Sequence, residues 1–288
     1  MGAAATFLAF VPSNGQNETK IQRTMKAKQS MMTSLLVLAM AQTILSCMSC
    51  GNSVMTVVDE GPQTSEIRHH RDFEKIEIAG SPKVYFTQAD SFSVRVEGPE
   101  NLIDKIITST DDHTLSIRNK GKVGFVNITF NDMDKVVVYV SSPDLVSVGL
   151  NGSGDFYCHK RIDTDNMNII LHGSGNMEFS DIICDHCVTE LVGSGDIRVD
   201  RLETKTSDVS LIGSGDLSIN EWQVDETDVS LKGSGDVRIN FVGGCRKASG
   251  RLTGSGDMKL KGSVKQFMMK KEGSGDIDTD ELRVNSDK

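Results

Sequence analysis

The stretch Asp208-Val209-Ser210-Leu211-Ile212-Gly213-Ser214-Gly215-Asp216-Leu217-Ser218-Ile219 decides how this chain folds. Apolar residues stand at alternate positions on both sides of a Gly-Ser-Gly-Asp core: Val209 and Leu211, then Leu217 and Ile219. That is the period of a half-buried strand. Counted by twos it passes through Gly213 and Gly215, which predicts one strand running through the motif with both glycines inward. The core recurs from Gly152, Gly173, Gly193, Gly233, Gly254 and Gly273, and the seven starts are spaced by 21, 20, 20, 20, 21 and 19 residues. A repeat of that length means stacked units, each unable to bury its apolar face alone.

The flanking columns hold across the copies. Before the motif come Leu150, Leu171, Leu191, Leu211, Leu231 and Leu252, with Lys271 as the exception. After it come Phe156, Met177, Ile197, Leu217, Val237, Met258 and Ile277. A third column, nine or ten residues past the first glycine, reads Ile162, Ile182, Leu202, Trp222, Val242, Val264 and Leu282, and implies a further corner. The fold expected is all-β: a single-stranded parallel β-helix or β-solenoid, right-handed by the general rule for parallel crossovers. Its coils would be spaced by roughly 4.8 Å. The structural turn residues are Gly152, Gly154 and Asp155; Gly173, Gly175 and Asn176; Gly193, Gly195 and Asp196; Gly213, Gly215 and Asp216; Gly233, Gly235 and Asp236; Gly254, Gly256 and Asp257; and Gly273, Gly275 and Asp276. Glycine suits sharp bends where a Cβ would strike the next coil or the facing wall. Serine and aspartate would point outward and bond turn amides.

The remaining chain divides by composition. Residues 1–24 fit nothing downstream and read as an extension ahead of a true start at Met25. Residues 25–46 form a lipoprotein signal peptide, with Lys26 and Lys28 before an apolar run. Ile44-Leu45-Ser46-Cys47 resembles a lipobox, so Cys47 is the expected lipidation site and Cys50 the alternative. Residues 47–71 read as a polar tether. Residues 72–150 form an irregular β part, either loose coils or a small capping sheet, and 151–288 the repeat solenoid. Within the irregular part, Ile76, Ile78, Gly80, Pro82, Val84 and Phe86 follow the repeat template as a degenerate early coil. Strands are expected near residues 92–97, 114–118, 125–130 and 135–141, and "ENLIDKI" allows one or two helical turns.

The repeated core and the lead-in "FEKIEIAGSPKVYF" with "SFSVRVEGPENLIDKI" resemble the auto-transporter adhesin head, or GIN, domain family of exported Bacteroidetes lipoproteins, over residues 73–284. The resemblance implies a non-catalytic envelope protein, anchored in the outer membrane by lipid and presenting flat β faces to a glycan or a protein. Surface-exposed lipoproteins of that group resemble one another in an acidic run after the lipidated cysteine. Met48-Ser49-Cys50-Gly51-Asn52 departs from it, which leaves a periplasm-facing anchor open. The competing classes are a β-helix polysaccharide lyase or hydrolase and a structural spacer without ligand.

Charge and residue pattern narrow the chemistry. The net charge is −9, and removing Lys20, Arg23, Lys26, Lys28 and Glu18 with the leader leaves −12. An acidic chain argues against nucleic-acid partners and against adsorption on anionic lipid. Stacked motif carboxylates would repel by about 1 kcal/mol per neighbouring pair in water. One carboxylate per coil falls short of the six to eight oxygens calcium takes, so hydrogen bonding is the expected relief and no metal or cofactor is expected. Cys184-Asp185-His186-Cys187 has the spacing of a redox motif or half a zinc site, yet a second half is missing; free or locally bridged thiols are the simpler reading. Cys158 reads as a core residue. No histidine spacing suggests a triad, no catalytic residues are expected, and the outward strand positions (Tyr157, Glu178, Arg198, Ser218, Arg238, Lys259, Asp278) show no aromatic stripe.

Overall fold

The structure, a computed structural model, describes residues 61–120 and 135–285. In chain order its elements are β1 Gln63–Arg68, β2 Lys75–Gly80, β3 Lys83–Gln88, β4 Ser93–Pro99, α1 Glu100–Ile103, β5 Ile106–Asp111, β6 Thr114–Asn119, β7 Val137–Ser142, β8 Ser147–Gly152, β9 Asp155–Asp163 and β10 Asn166–Gly173. They continue as β11 Asn176–Ile183, β12 His186–Gly193, β13 Asp196–Glu203, β14 Thr206–Gly213, β15 Asp216–Trp222, β16 Val224–Gly233, β17 Asp236–Gly254, β18 Met258–Gly273, β19 Ile277–Asp278 and β20 Leu282–Val284. The expected leader, the lipobox cysteines Cys47 and Cys50, and the strand expected at 125–130 lie outside the described residues.

The fold is a parallel β-solenoid. One sheet runs β6, β2, β8, β10, β12, β14, β16 and the later halves of β17 and β18, each strand parallel to its neighbours. A second runs β7, β3, β9, β11, β13, β15 and the earlier halves of β17 and β18. The Gly-Ser-Gly-Asp motif is the corner between the sheets. This corrects the expectation of a strand running through it: β14 ends at Gly213 and β15 begins at Asp216.

The corner explains its own sequence. The Gly193 carbonyl accepts from the amides of Ser214 (2.8 Å) and Gly215 (3.2 Å) in the next coil. A Cβ on Gly213 would lie 2.1 Å from that oxygen, and Gly213 has φ +138°, which L side chains rarely adopt. A Cβ on Gly215 would lie 2.0 Å from the Gly195 carbonyl and 2.8 Å from Leu191 Cδ2. Both glycines therefore leave room along the stacking axis for the preceding coil's backbone, rather than for the facing wall; only the second glycine of each copy is buried. The contacts recur at every copy, and the first reaches back to Gly80 and Pro82, so the early coil is the first step of the same stair. The aspartates relieve the corner as donors' partners. Asp196 Oδ1 accepts from the Asp216 amide at 3.1 Å, Asp236 from Asp257 at 3.2 Å and Asp257 from Asp276 at 2.9 Å. Asp155 accepts from both the amide and the side-chain Nδ2 of Asn176, at 3.3 and 2.9 Å.

The inward columns beside the motif are buried as the alternation requires, from Leu150 to Leu252 before it and Phe156 to Met258 after it. Cys158 is buried among them. The third column differs. Ile162, Ile182 and Leu202 are buried, but Leu202 pairs with Glu221 and Glu221 with Phe241, so Glu221 and Phe241 take the places read for Trp222 and Val242. Val242 is 43% exposed. β13 carries a register irregularity between Val199 and Leu202; β15 is followed instead by Gln223 at φ +56°. Equal coil lengths thus hide a one-residue shift, which a fixed period cannot detect.

Residues 72–120 and 135–150 are coils of the same solenoid with a different closure. β3 lies between β7 and β9, and β2 between β6 and β8. β4 runs antiparallel to β7, and β5 antiparallel to β6. β1 then pairs antiparallel with β4, which corrects the reading of residues 63–68 as tether. Gln-Thr-Ser-Glu-Ile-Arg has no apolar alternation, and the strand is held by backbone pairing. These antiparallel strands cover the sheet edges at this end, where open ladders would invite pairing with other chains.

Two outcomes are expected from denaturant and thermal unfolding. Gly215→Val should destabilise by several kcal/mol, since overpacking alone typically costs about 1–3 and here the obstacle is a backbone carbonyl; Gly213→Ala adds left-handed strain of about 1–2 kcal/mol. Ser214→Ala and Asp216→Asn should each cost about 1 kcal/mol or less; equal effects in all four variants would refute the stacked corner. Because backbone amides engage Asp155, Asp196, Asp236 and Asp257 and Arg238 engages Asp216, a chelator should leave Tm unchanged within error, and a large drop would mean a cation ladder.

Candidate binding face

The outer surface of the second sheet carries one continuous row of side chains. Register places Arg95 beside Tyr139, Tyr139 beside Tyr85, and Tyr85 beside Tyr157. The row continues through Glu178, Arg198, Ser218, Arg238 and Lys259 to Asp278. Strand alternation turns each outward while Val84, Val138 and Phe156 beside the tyrosines point into the core.

All three tyrosines of the chain stack in this row. Ring centroids are 5.6 Å apart for Tyr139 and Tyr85 and 5.0 Å for Tyr85 and Tyr157, with interplanar angles of 20° and 22°. The Arg95 guanidinium lies 4.5 Å over the Tyr139 ring and also pairs with Glu97. His159 sits 5.9 Å from both Tyr85 and Tyr157. Stacked at strand spacing, the rings cover one another's faces and present edges and phenols outward. Burial, with the negative charges of Asp155 and Glu178, pushes the Tyr157 phenol up to about 12, so it remains a donor, hydrogen-bonded to Asp155. The expectation of no aromatic stripe is thereby corrected. The row was hidden because spatial order (β4, β7, β3, β9) departs from chain order. One signal was present: the early coil places Tyr85 where Tyr157 stands in its own repeat.

The other half of the row is polar and self-neutralising. Arg198 bonds Asp200 at 2.7 Å, and Arg238 reaches Asp236 at 2.7 Å and Asp216 at 3.4 Å. Lys259 bonds Asp278 at 2.6 Å, and Lys261 bonds Glu281 at 2.8 Å. These partners hold the Lys259 ammonium above its ordinary range and the Asp278 and Glu281 carboxyls below theirs. A shallow hollow of about 220 Å³ lies between Ser218, Asn220, Arg238, Asn240, Lys259 and Lys261. Asn240 donates to Asn220 at 3.2 Å, and Asn220 to the Asp200 carbonyl at 3.1 Å, so the hollow has a ladder of amides along its floor.

The other sequence-selected groups are dispersed. The motif residues form the corner, and three of their aspartates, Asp236, Asp257 and Asp276, line an open hollow of about 480 Å³ with Arg238, Lys259 and Asp278. Cys158, Cys184, Cys187 and Cys245 are buried free thiols. Cys184 and Cys187 are hydrogen-bonded; the shared bond lowers Cys184 and, with burial, raises Cys187. The histidines are engaged separately: His70 with Thr108 and Thr110, His113 with the Asp72 carbonyl, His172 with Glu190, and His186 with Thr206. Among the described residues no group of three His, Cys, Asp or Glu is placed to hold a metal ion. No helix among them is long and apolar enough to cross a membrane.

Solved structures share this architecture. A "putative adhesin" from Bacteroides fragilis matches with TM-score 0.64 and 22% identity, over 75% of this chain and 96% of that one. A "putative lipid binding protein" from Parabacteroides distasonis matches with TM-score 0.61 and 22% identity, over 76% and 96%. A "putative adhesin" from Parabacteroides merdae matches with TM-score 0.53 and 19% identity, over 76% and 96%. At such identities the likeness establishes the fold alone. No curated protein matches the chain. Residues 72–244 match the sequence profile described as "Putative auto-transporter adhesin, head GIN domain". With more than half of its length matched, corner motif included, the chain belongs to that auto-transporter adhesin head GIN domain family.

Proposed function

We propose that this protein is a non-catalytic binding module of the cell envelope, exported and lipid-anchored at Cys47 in the outer membrane, whose second-sheet face meets a glycan or a protein. The observation that carries the reading is the unbroken outward row from Arg95 to Asp278, in register across every strand of that sheet. A flat face of stacked phenols, amides and neutralised charges suits an extended polar ligand that lies along it. Nucleic acid does not suit an acidic chain whose bases on this face are already paired. Catalysis of polysaccharide cleavage needs an acid and a base converging on one bond, whereas the two acids of this row, Glu178 and Asp278, stand on well-separated strands and Asp278 is paired with Lys259.

Two measurements test this reading. A glycan array and a protein pull-down with the mature chain should yield a ligand, and Tyr85→Ala with Tyr157→Ala should weaken it by tenfold or more, the usual scale for losing central aromatic contacts. Undiminished binding would remove the face from the interaction; polysaccharide cleavage would make the protein an enzyme; no ligand in either screen would favour a spacer. Palmitate labelling should appear in the wild type and vanish in Cys47→Ala. Equal labelling in both would move the anchor to Cys50.

A further inference from the structure

Glu221 is the one acid or base fully enclosed in the core of the described residues, at 0% exposure. Its Oε2 accepts from Thr227 Oγ1 at 2.6 Å; the Ser207 hydroxyl also favours the ionised carboxylate, but too weakly for Ser207 Oγ and Glu221 Oε1 to make a hydrogen bond of ordinary geometry. Leu202 and Phe241 flank it in the column. Ser207 of β14 and Thr227 of β16 lie beside it. The titratable groups facing it are the thiols of Cys187 on β12, raised by its bond with Cys184 and by burial, and Cys245 on β17, raised by burial; both are neutral. Among the described residues no cation acts on it. An unpaired buried carboxylate is costly, and such a site favours the neutral acid; burial pushes the Glu221 carboxyl up to about 7.

The backbone around it has an alternative. The repeat period assigns this column to Trp222, as it assigns Leu202 one coil earlier. In the Leu202 coil the extra residue sits before the column, between Val199 and Leu202. In the Glu221 coil it sits after, at Gln223, a non-glycine residue held at φ +56°. Moving that residue from one side of the column to the other restores the arrangement of the preceding coil. It brings Trp222 inward and Glu221 outward, because a one-residue slip reverses the faces of a strand. Trp222 is now outside, with the Arg201 guanidinium 4.6 Å over its ring.

We propose that Glu221 and Trp222 form a pH-operated register switch, in which the protonated acid holds the core position and the ionised acid yields it to the indole. The sign follows from the inward state holding the proton more tightly than the outward one. The inward state has its full advantage below about pH 4.5, the ordinary value, and loses it as pH rises toward about 7. Over that window the inward-to-outward ratio falls roughly 300-fold, with no further loss above it. The side chains around the Glu221 carboxyl, Cys187, Ser207 and Thr227, are all small.

Trp222 is the only tryptophan, so its fluorescence reports the exchange directly. The full chain, titrated from pH 4 to pH 9, should show a blue shift of emission confined to the rise toward neutrality, reversible on acidification. Glu221→Gln, which cannot ionise, should keep the acid-pH emission throughout, while circular dichroism shows the fold intact. A wild-type emission that stays constant, that shifts to the red as the indole becomes more exposed, or that shifts alike in Glu221→Gln would each overturn the switch. The wild-type titration decides the matter even if the variant fails to fold.

Discussion

The whole molecule depends on one contact: the carbonyl of a corner glycine lying where the next coil's Cβ would be. That carbonyl receives two amides from the following coil, and the separation that permits those bonds excludes any side chain at the two glycine positions. The motif is therefore less a binding signature than a condition for stacking. Once coils stack at the corner, registers in both sheets are fixed, and the inward columns of leucine, isoleucine and phenylalanine align without further instruction. At four of the corners the side chain of Asp155, Asp196, Asp236 or Asp257 accepts an amide of the next coil, which draws most of the column of like charges into the hydrogen-bond framework.

What the sequence made legible was everything that repeats. Period, inward columns and the early coil at Gly80 all follow from alternation and spacing, because stacking forces each coil to obey the same rule. Where coils depart from one another, periodicity misleads. Counting places Trp222 and Val242 in the core because it assumes a fixed position for the extra residue, whereas Gln223 and its left-handed backbone move it. β1 leaves no signal in the sequence because an edge strand held by backbone pairing needs no apolar pattern. The motif was read as strand because alternation of burial persists around a corner as well as along a strand.

The candidate face was legible only in part, for a topological reason. Its charged half comes from successive repeats, so spacing alone predicts which side chains are neighbours. Its aromatic half comes from strands that interleave, with β3 inserted between β7 and β9, so residues distant in sequence become adjacent rings. Tyr85 stacks on two partners that follow it by one or more coils of chain. Function attributed to this face thus rests on the least periodic part of the molecule, where fold specification and surface chemistry are separable.

The antiparallel strands at the N-terminal end have an evolutionary implication. They seal one terminus of the stack, while every interior coil meets its neighbours through the same glycine carbonyl and the same columns. An insertion or loss of one whole repeat in the interior would leave the seal untouched and lengthen or shorten the outward row by a single strand spacing, roughly 4.8 Å. The length of the face is thus set by the number of coils, while the corner that joins them stays unchanged.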